Sequence, residues 1–396
     1  MKKILLLCLF IFAFSVLPTA AVVSAAENVD QSVIAIKEES GLTTSAKSAY
    51  LMQAGGGEVI YAQNETKRLT IASMTKIMLL NLVFDKVESG ELVLEEDVTV
   101  SENAQSMGGS QVFLQAGKSY KAKDLIKSVI ISSANDASVC LAERLFGSES
   151  AAVDEMNDRA KKLGLENTLF SNVTGLPKPT QYSCAKDVAV MLDKLISHKD
   201  YFTFSTIYTD ELVHPDGQNT MLTNTNKLVR FYKGCDGGKT GYTDDAGYCL
   251  AATAKRGALR VVGVVIGEAD SKTRFKDVSG LFDHAFNNYT TKVLFDKDEY
   301  IDETVKVVCG VNDILKLKTS ESIYSFDKKG SKHEYTVSVE ITERLKAPVK
   351  EGEKVGTLTV FKDGAEYRSC DVLAAENDDK CSLFGGVGKV AANWKI

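Results

Sequence analysis

The chain has 396 residues, 44% of them hydrophobic and 25% charged, which is enough for two globular domains with a sizeable core. A net charge of -6 without a basic stripe argues against a nucleic-acid partner. The sequence contains no Cys-x-x-Cys pair that would predict zinc, and we expect neither a metal nor a cofactor.

Residues 1–26 have the three parts of a secretory signal peptide: a basic start, an apolar run and a small-residue end. An uncleaved membrane anchor is the alternative, since no charge interrupts residues 4–26. Pro18 and the small residues favour cleavage. We therefore predict an exported protein, at the outer face of the cytoplasmic membrane, in the cell-wall space or secreted. The mature chain keeps seven of the eight cysteines, which we expect to be mostly buried.

The next predicted elements are a β-hairpin and a buried helix. Strand-like residues at 48–52 and 58–61 flank a glycine-rich turn. The helix opens at Ile71, is apolar at nearly every position from 77 to 87 and meets a Ser-Gly stop at 89–90.

Ser73 and Lys76 lie at the start of this helix, three residues apart and therefore on one face. A lysine whose pKa is lowered by burial can take the proton of a serine hydroxyl, so the pair predicts nucleophilic catalysis. Taken alone, the same pair favours a capped surface helix over a catalytic site.

A helix predicted over 122–131 is followed, after a break, by another over 136–147. Ser133 and Asn135 lie in the break, where a hydroxyl could shuttle a proton and an amide could hold a substrate carbonyl. Taken alone, this stretch favours helix capping, for which these residue types are typical.

Neighbouring antiparallel strands are predicted between residues 237 and 266. Lys239 would supply a fixed positive charge and Thr240 a hydroxyl, while Gly241 lets a ligand or another backbone approach. This combination suits a carboxylate. We reject a phosphate-binding loop, which needs four residues between its glycines and a following helix.

From residue 293 onward, short alternating runs separated by Gly and Asp turns predict a small all-β domain, which we expect to act as a spacer. The tail, residues 382–396, contains apolar residues, two lysines and Trp394, a composition suited to a membrane interface. Its three glycines weaken it as a helix by roughly 1 kcal/mol each.

Three short motifs stand in this order along the chain: Ser73-x-x-Lys76, Ser133-x-Asn135 and Lys239-Thr240-Gly241. Each is weak alone, but the ordered set resembles that of the penicillin-recognising serine enzymes. The chain is most similar to the low-molecular-mass penicillin-binding proteins that are D-alanyl-D-alanine carboxypeptidases. The likeness covers most of the mature chain and includes residues 163–168, 246–248 and 347–352.

This resemblance implies an α/β (α+β) catalytic domain, with an antiparallel sheet flanked by helices, followed by a small all-β domain. We expect a signal peptide at 1–26, a catalytic domain at 27–291, a C-terminal domain at 292–381 and a membrane-associating tail at 382–396. The implied substrate is a peptidoglycan stem peptide ending in D-Ala-D-Ala. The β-lactam antibiotics would be covalent inhibitors.

The resemblance also implies catalytic roles. Ser73 would attack the carbonyl between the last two D-alanines, Lys76 would be the general base, and Ser133 would pass a proton to the leaving amine. Water would then hydrolyse the acyl-enzyme, with Lys76 the first candidate to activate it.

The remaining motif residues are implied to bind the substrate. Asn135 would hold the peptide, and Lys239 with Thr240 would bind the terminal carboxylate beside Gly241. The family's oxyanion hole would use the backbone N–H groups of the nucleophile and of Tyr242.

Two departures from the family pattern are Thr174, where many relatives have histidine, and Ala134, where glycine is frequent. We expect activity to survive both. A β-lactamase is the first alternative. Its class A type needs a Glu-x-x-Leu-Asn loop, and the stretch that begins at Glu166 has Phe170 at the asparagine position. A non-catalytic wall-binding protein is the second.

Overall fold

The computed structural model describes residues 42–382, so the predicted signal peptide and all of the tail beyond Ser382 lie outside the described residues. Within that range, no helix has the length and apolar character needed to cross a membrane.

Helices and strands are numbered here in chain order. The helices are α1 (Lys76–Glu88), α2 (Glu102–Gln105), α3 (Ala122–Ser132), α4 (Asn135–Phe146), α5 (Glu149–Lys162), α6 (Ala185–Leu195), α7 (Tyr201–Ser205), α8 (Leu228–Phe231) and α9 (Ser271–Asn288). The strands are β1 (Ser48–Gln53), β2 (Val59–Gln63), β3 (Asp97–Thr99), β4 (Ser119–Lys121), β5 (Thr209–Val213), β6 (Asn219–Thr223), β7 (Cys235–Thr243), β8 (Gly247–Arg256), β9 (Leu259–Glu268), β10 (Tyr289–Thr290), β11 (Val293–Phe295), β12 (Tyr300–Val308), β13 (Ile314–Thr319), β14 (Ile323–Tyr324), β15 (Asp327–Lys328), β16 (Tyr335–Ile341), β17 (Arg344–Lys346), β18 (Lys354–Lys362) and β19 (Ala365–Ala374).

A five-stranded antiparallel sheet, in the order β2-β1-β9-β8-β7, is the centre of the helical part. The predicted hairpin forms β1 and β2, and the predicted strands between 237 and 266 form β7, β8 and β9. Helices α6 and α9 pack against this sheet. At Gly263 of β9 a Cβ atom would lie 3.0 Å from the Phe282 ring of α9, so the missing side chain lets that helix pack closely.

Helix α1 is buried from Lys76 to Phe84 and contacts α4, α5 and α6. The helix ends at Glu88 and is followed by Ser89 and by Gly90, whose φ is +76°, which confirms the predicted stop. The start differs from the prediction. Residues Ala72–Thr75 form a separate 3-10 turn, with Ala72 at φ +47°, so the α-helix begins only at Lys76.

The predicted break between two helices is also present, between α3 and α4. Ser133 ends α3 in the left-handed conformation, with φ 62° and ψ 28°. Ala134 has φ -59° and is fully buried, so its methyl group causes no backbone strain.

The C-terminal part is all-β, as predicted. Its six-stranded sheet has the order β16-β18-β19-β13-β12-β17, in which only the pairing of β12 with β17 is parallel. One face of the sheet covers a compact apolar core that includes Leu315, Leu317, Leu358, Val360 and Val372.

Candidate active site

Ser73 lies in the 3-10 turn that precedes α1, and unlike Ala72, Met74 and Thr75 it is not fully buried. Strand β7 packs directly against this turn. A Cβ atom on Gly241 would lie 2.7 Å from the Ile71 carbonyl oxygen and 3.3 Å from the Ser73 nitrogen. The glycine therefore lets another backbone approach, and the first and third motifs are in contact.

Lys76 is fully buried beside Ser73. Its Nζ lies 3.2 Å from the Ser73 Oγ, 2.7 Å from the Asn135 Oδ1 and 2.5 Å from the Thr174 carbonyl oxygen. The first and second motifs thus meet at one amine. The Thr174 carbonyl is a contact that sequence reasoning missed, because a backbone oxygen leaves no signature in residue type.

The surroundings of Lys76 favour its neutral form. Burial, followed by the positive charge of Lys239, lowers the pKa of Lys76 well below its ordinary value, while the Asp136 carboxylate opposes that shift. A neutral amine within hydrogen-bond distance of a serine hydroxyl can act as its general base.

Ser133 is 4% exposed, and its Oγ has no hydrogen-bond partner among the described residues. A buried hydroxyl without a partner is energetically costly, and so is a left-handed serine. The hydroxyl is therefore available to a ligand rather than committed to the protein.

Asn135, at the start of α4, connects the second motif to a neighbouring loop. Its Nδ2 donates to the Gly108 carbonyl at 2.7 Å, and its backbone N–H donates to the Ser110 carbonyl at 2.7 Å. Because one amide hydrogen is shared with Gly108, the other remains for a substrate carbonyl.

The same loop is held by Asp136, whose buried carboxylate accepts hydrogen bonds from the backbone N–H groups of Val112 and Leu114. Sequence reasoning had assigned this residue no role beyond the helix start. These hydrogen bonds hold in place the loop whose Gly108 and Ser110 carbonyls accept from Asn135.

Lys239 is 2% exposed and its Nζ donates to the Thr240 carbonyl at 3.0 Å. Burial, and second the charge of Arg274, lowers the pKa of Lys239 to about 7. The positive charge expected there is thus not fixed but depends on pH. Arg274 of α9, also missed from the sequence, donates to the carbonyls of Gly241 and Cys249 and so ties α9 to β7.

Tyr242 is 50% exposed at the end of the motif strand. Its hydroxyl donates to Asp244 at 2.9 Å, and its ring lies 4.3 Å from that of Tyr248. The side chain is held at the surface beside β7 by these two contacts.

A loop at 171–176 covers the other side of the nucleophile turn. The Asn172 Oδ1 accepts from the backbone N–H groups of Thr174 and Gly175, which holds the Thr174 carbonyl toward Lys76. Gly175, at φ +82°, has no room for a Cβ, which would meet the Ala72 carbonyl oxygen. From the sequence, this loop was noted only at Thr174, as a departure from the family pattern.

A cavity of about 300 Å³ opens between this loop and the end of β7. Its lining includes Ala72, Gly175, Leu176, Thr243 and Asp245. None of the residues predicted to form the site lines this cavity, which lies beside the nucleophile turn.

Glu166, which was considered for the β-lactamase alternative, and the four histidines have other partners. Glu166 is exposed, and its backbone carbonyl accepts from Arg68. The four histidines have partners outside the site, namely Glu88 for His198, Tyr120 for His214, Asn288 for His284 and Asp363 for His333.

The chain is similar to known proteins over nearly its whole described length. The sequence profile of the D-alanyl-D-alanine carboxypeptidase family matches residues 35–270, and that of the penicillin-binding protein 5 C-terminal domain matches residues 289–380. The D-alanyl-D-alanine carboxypeptidase DacF of Bacillus subtilis (strain 168) is 38% identical, covering 90% of this chain and 92% of the relative.

Two solved structures extend the comparison. Penicillin-binding protein 5 from Haemophilus influenzae superposes with a TM-score of 0.68 at 27% identity, covering 85% of this chain and 98% of that one. Penicillin-binding protein D2 from Listeria monocytogenes, in a cefotaxime-bound form, superposes with a TM-score of 0.56 at 34% identity, covering 62% and 98%.

Proposed function

The chain belongs to the D-alanyl-D-alanine carboxypeptidase family, and from that premise we propose that Ser73, Lys76 and Ser133 perform its reaction. The protein is a serine-type D-Ala-D-Ala carboxypeptidase, a penicillin-binding hydrolase that acts on peptidoglycan. The β-lactamase and non-catalytic alternatives are not favoured by its relatives. The observation that carries the residue assignment is the buried Lys76 amine, 3.2 Å from the Ser73 hydroxyl.

Acylation begins when the neutral Lys76 amine takes the proton of Ser73. The Oγ then attacks the carbonyl carbon of the penultimate D-alanine. Backbone N–H groups of Ser73 and Tyr242 would stabilise the developing oxyanion, which is worth about 3 kcal/mol for one such donor. The packing of Gly241 against the nucleophile turn supports this pairing of two distant segments.

Breakdown of the tetrahedral intermediate needs a proton on the leaving D-alanine amine. The Ser133 hydroxyl would deliver its proton and recover one from the Lys76 ammonium, which holds the proton taken from Ser73, so that Lys76 becomes neutral again. The lack of a hydrogen-bond partner for the Ser133 hydroxyl among the described residues supports that role. Water then attacks the acyl-enzyme, and Lys76 would take the water's proton and return it to the Ser73 Oγ as the ester bond breaks.

The substrate would be oriented by its terminal carboxylate and its peptide group. Lys239, when protonated, and Thr240 would bind the carboxylate beside Gly241, and the free amide hydrogen of Asn135 would hold a substrate carbonyl. A β-lactam presents a carboxylate and a strained amide of the same kind. It would acylate Ser73 and remain bound.

The bounds of the domains and the location of the protein are part of the proposal. A signal peptide at 1–26 would direct export, residues 27–291 would be the catalytic domain, and residues 292–381 would be a spacer. The tail at 382–396 would attach the protein to the outer face of the cytoplasmic membrane, which its tryptophan, lysines and apolar residues support.

Release of D-alanine from a peptide ending in D-Ala-D-Ala tests the function. We expect the native chain to release it, and Ser73→Ala to release none while keeping its thermal unfolding temperature. Mass spectrometry after penicillin treatment should place the adduct on the peptide that contains Ser73. An adduct elsewhere, or undiminished release by Ser73→Ala, would refute the assignment.

Sedimentation with anionic vesicles tests the tail. The full chain should sediment with the vesicles, and a chain ending at Cys381 should stay in the supernatant with unchanged D-alanine release. Equal sedimentation of the two chains would exclude the tail as the attachment.

A further inference from the structure

The described residues contain seven cysteines, none of them in a disulfide. Five are buried, and burial makes them poor nucleophiles. It raises the pKa of Cys140, Cys184 and Cys235 to about 12, raises that of Cys249 to about 11, and also raises that of Cys370. The active-site chemistry uses none of these thiols.

Cys309 and Cys381 differ from the other five because both reach the surface. Cys309 is exposed, and Cys381 is partly buried. Cys309 directly follows strand β12, and Cys381 lies at the end of the described residues, directly before the predicted tail. They are therefore the two thiols that a reagent in solution can reach.

The backbone places these two cysteines opposite each other. Gly310 and Lys380 form an antiparallel bridge, so Cys309, just before Gly310, lies across from Cys381, just after Lys380. The Cys381 N–H donates to the Cys309 carbonyl at 2.9 Å. On the other side of the bridge, the Val311 N–H donates to the Asp379 carbonyl at 2.9 Å.

Opposite residues of an antiparallel pair have Cα atoms roughly 4.5–5.5 Å apart, and disulfides span roughly 4.4–6.8 Å between Cα atoms. We propose that Cys309 and Cys381 are a disulfide site that covalently closes the end of the C-terminal domain. Cys370 is the other cysteine near the C-terminus. It pairs with Leu358 inside the β18–β19 ladder and belongs to the apolar core, so a bond to Cys381 would require that core to open.

Bond formation needs an oxidant, and a small-molecule or protein disulfide supplies it by exchange. One cysteine thiolate attacks a sulfur of the oxidant and releases the first oxidant thiolate. The second cysteine thiolate then attacks the mixed disulfide and releases the second. The two protons lost by the cysteines end on the two released thiols, and the two electrons reduce the oxidant's disulfide bond.

The bond would close a loop of about 70 residues that contains almost the whole six-stranded sheet. Cross-linking a loop of this size restricts the unfolded chain and so stabilises the folded domain. It also fixes the point from which the tail leaves the domain. The carboxypeptidase residues lie outside the loop, so the reaction rate should not depend on the bond.

The test is a non-reducing peptide map of the full chain after exposure to glutathione disulfide under native conditions. We expect one cross-linked pair of peptides, containing Cys309 and Cys381, with a mass lower by two hydrogen atoms than the sum of the free peptides. The oxidised protein should unfold several degrees higher than the reduced protein and release D-alanine at the same rate. Glutathione on both cysteines without a cross-link, or a link from Cys381 to Cys370, would overturn the proposal.

The matched variants are Cys309→Ser and Cys381→Ser. Each should leave the remaining cysteine as a lasting glutathione adduct, since the second exchange step has no thiol, and each should lose the dependence of unfolding temperature on oxidation. A variant that still gains stability on oxidation would contradict the assignment. The map of the unmodified chain decides the question even if a variant fails to fold.

Discussion

The proposed mechanism requires two buried lysines in opposite charge states. Lys76 must be neutral to accept a proton from Ser73, and Lys239 must be protonated to bind a carboxylate. Both have lowered pKa values with burial as the largest cause, and the charge of Lys239 further disfavours protonation of Lys76. The proposed mechanism therefore requires a pH range in which Lys76 is already neutral and Lys239 is still charged.

This arrangement predicts a bell-shaped dependence of kcat/KM on pH. The acid limb should rise as Lys76 loses its proton, at a pH well below that of an ordinary lysine. The alkaline limb should fall above about pH 7, because Lys239, with a pKa of about 7, becomes neutral and the carboxylate is bound more weakly. Steady-state release of D-alanine across this range, separated into kcat and KM, measures both limbs.

Lys239→Arg is the control for the alkaline limb. A guanidinium stays protonated at every accessible pH, so KM should no longer rise above neutrality, whatever its absolute value. If KM of the native chain stays constant through the alkaline range, Lys239 is not the group that binds the carboxylate.

Ser133 carries two local costs, a left-handed backbone and a buried hydroxyl without a partner among the described residues. Ser133→Gly removes both, so we expect the free energy of unfolding to rise by about 1 kcal/mol. Acylation by penicillin should slow by roughly 100-fold to 10,000-fold, because the proton relay is lost. Thermal unfolding and stopped-flow acylation measure the two effects, and a variant that is both stable and fully reactive would show that Ser133 carries no proton.

At the residue scale, the sequence indicated the side chains that we propose to react, but not the groups that hold them in place. Ser73, Lys76 and Ser133 stand in recognisable spacings because their chemistry requires those residue types. The Thr174 carbonyl and the cation of Arg274 act through position alone, and nothing in composition or periodicity indicates that they face the site.

At the scale of elements, the site depends on β7 lying against the nucleophile turn. Gly241→Ala would place a methyl group 2.7 Å from the Ile71 carbonyl oxygen, a backbone atom that can move only with its turn. We expect the free energy of unfolding to fall by about 1–3 kcal/mol and penicillin acylation to slow, because the strand and Ser73 separate. Unfolding in urea and acylation rates provide the measurement.

Gly280→Ala is the matched control, because its Cβ would meet nothing within 4 Å and it lies inside helix α9. Alanine is favoured over glycine there by roughly 0.8–1.0 kcal/mol, so stability should rise and acylation stay unchanged. Equal behaviour of the two variants would mean that the packing at Gly241 is unimportant.

The sequence predicted the elements better than their junctions. The apolar run and its glycine stop were sufficient to locate α1, and alternating or continuous apolar residues located the strands of the five-stranded sheet. The 3-10 turn at Ala72–Thr75 was not predictable, because it depends on β7 and the 171–176 loop pressing against that turn from distant parts of the chain.

For the molecule as a whole, the proposed catalytic residues lie in the helical part, and the all-β part follows it in sequence. Short alternating runs were enough to predict that the C-terminal part is all-β. They did not predict its strand order, in which β19 lies between β18 and β13 and β17 pairs in parallel with β12. Strand order depends on which side chains fill one shared core, and no local pattern encodes it.

One contact between the two parts allows their independence to be measured. Arg368 of β19 donates to Glu58, in the turn between β1 and β2, at 3.0 Å, and both side chains are partly exposed. A partly exposed pair is worth little, so a double-mutant cycle with Glu58→Gln and Arg368→Gln should give a coupling below about 1 kcal/mol in the free energy of unfolding. The kcat for D-alanine release should be unchanged, because neither side chain contacts a proposed catalytic residue. A coupling well above that value, or a fall in kcat, would mean that the all-β part helps to hold the active site in place rather than acting as a spacer.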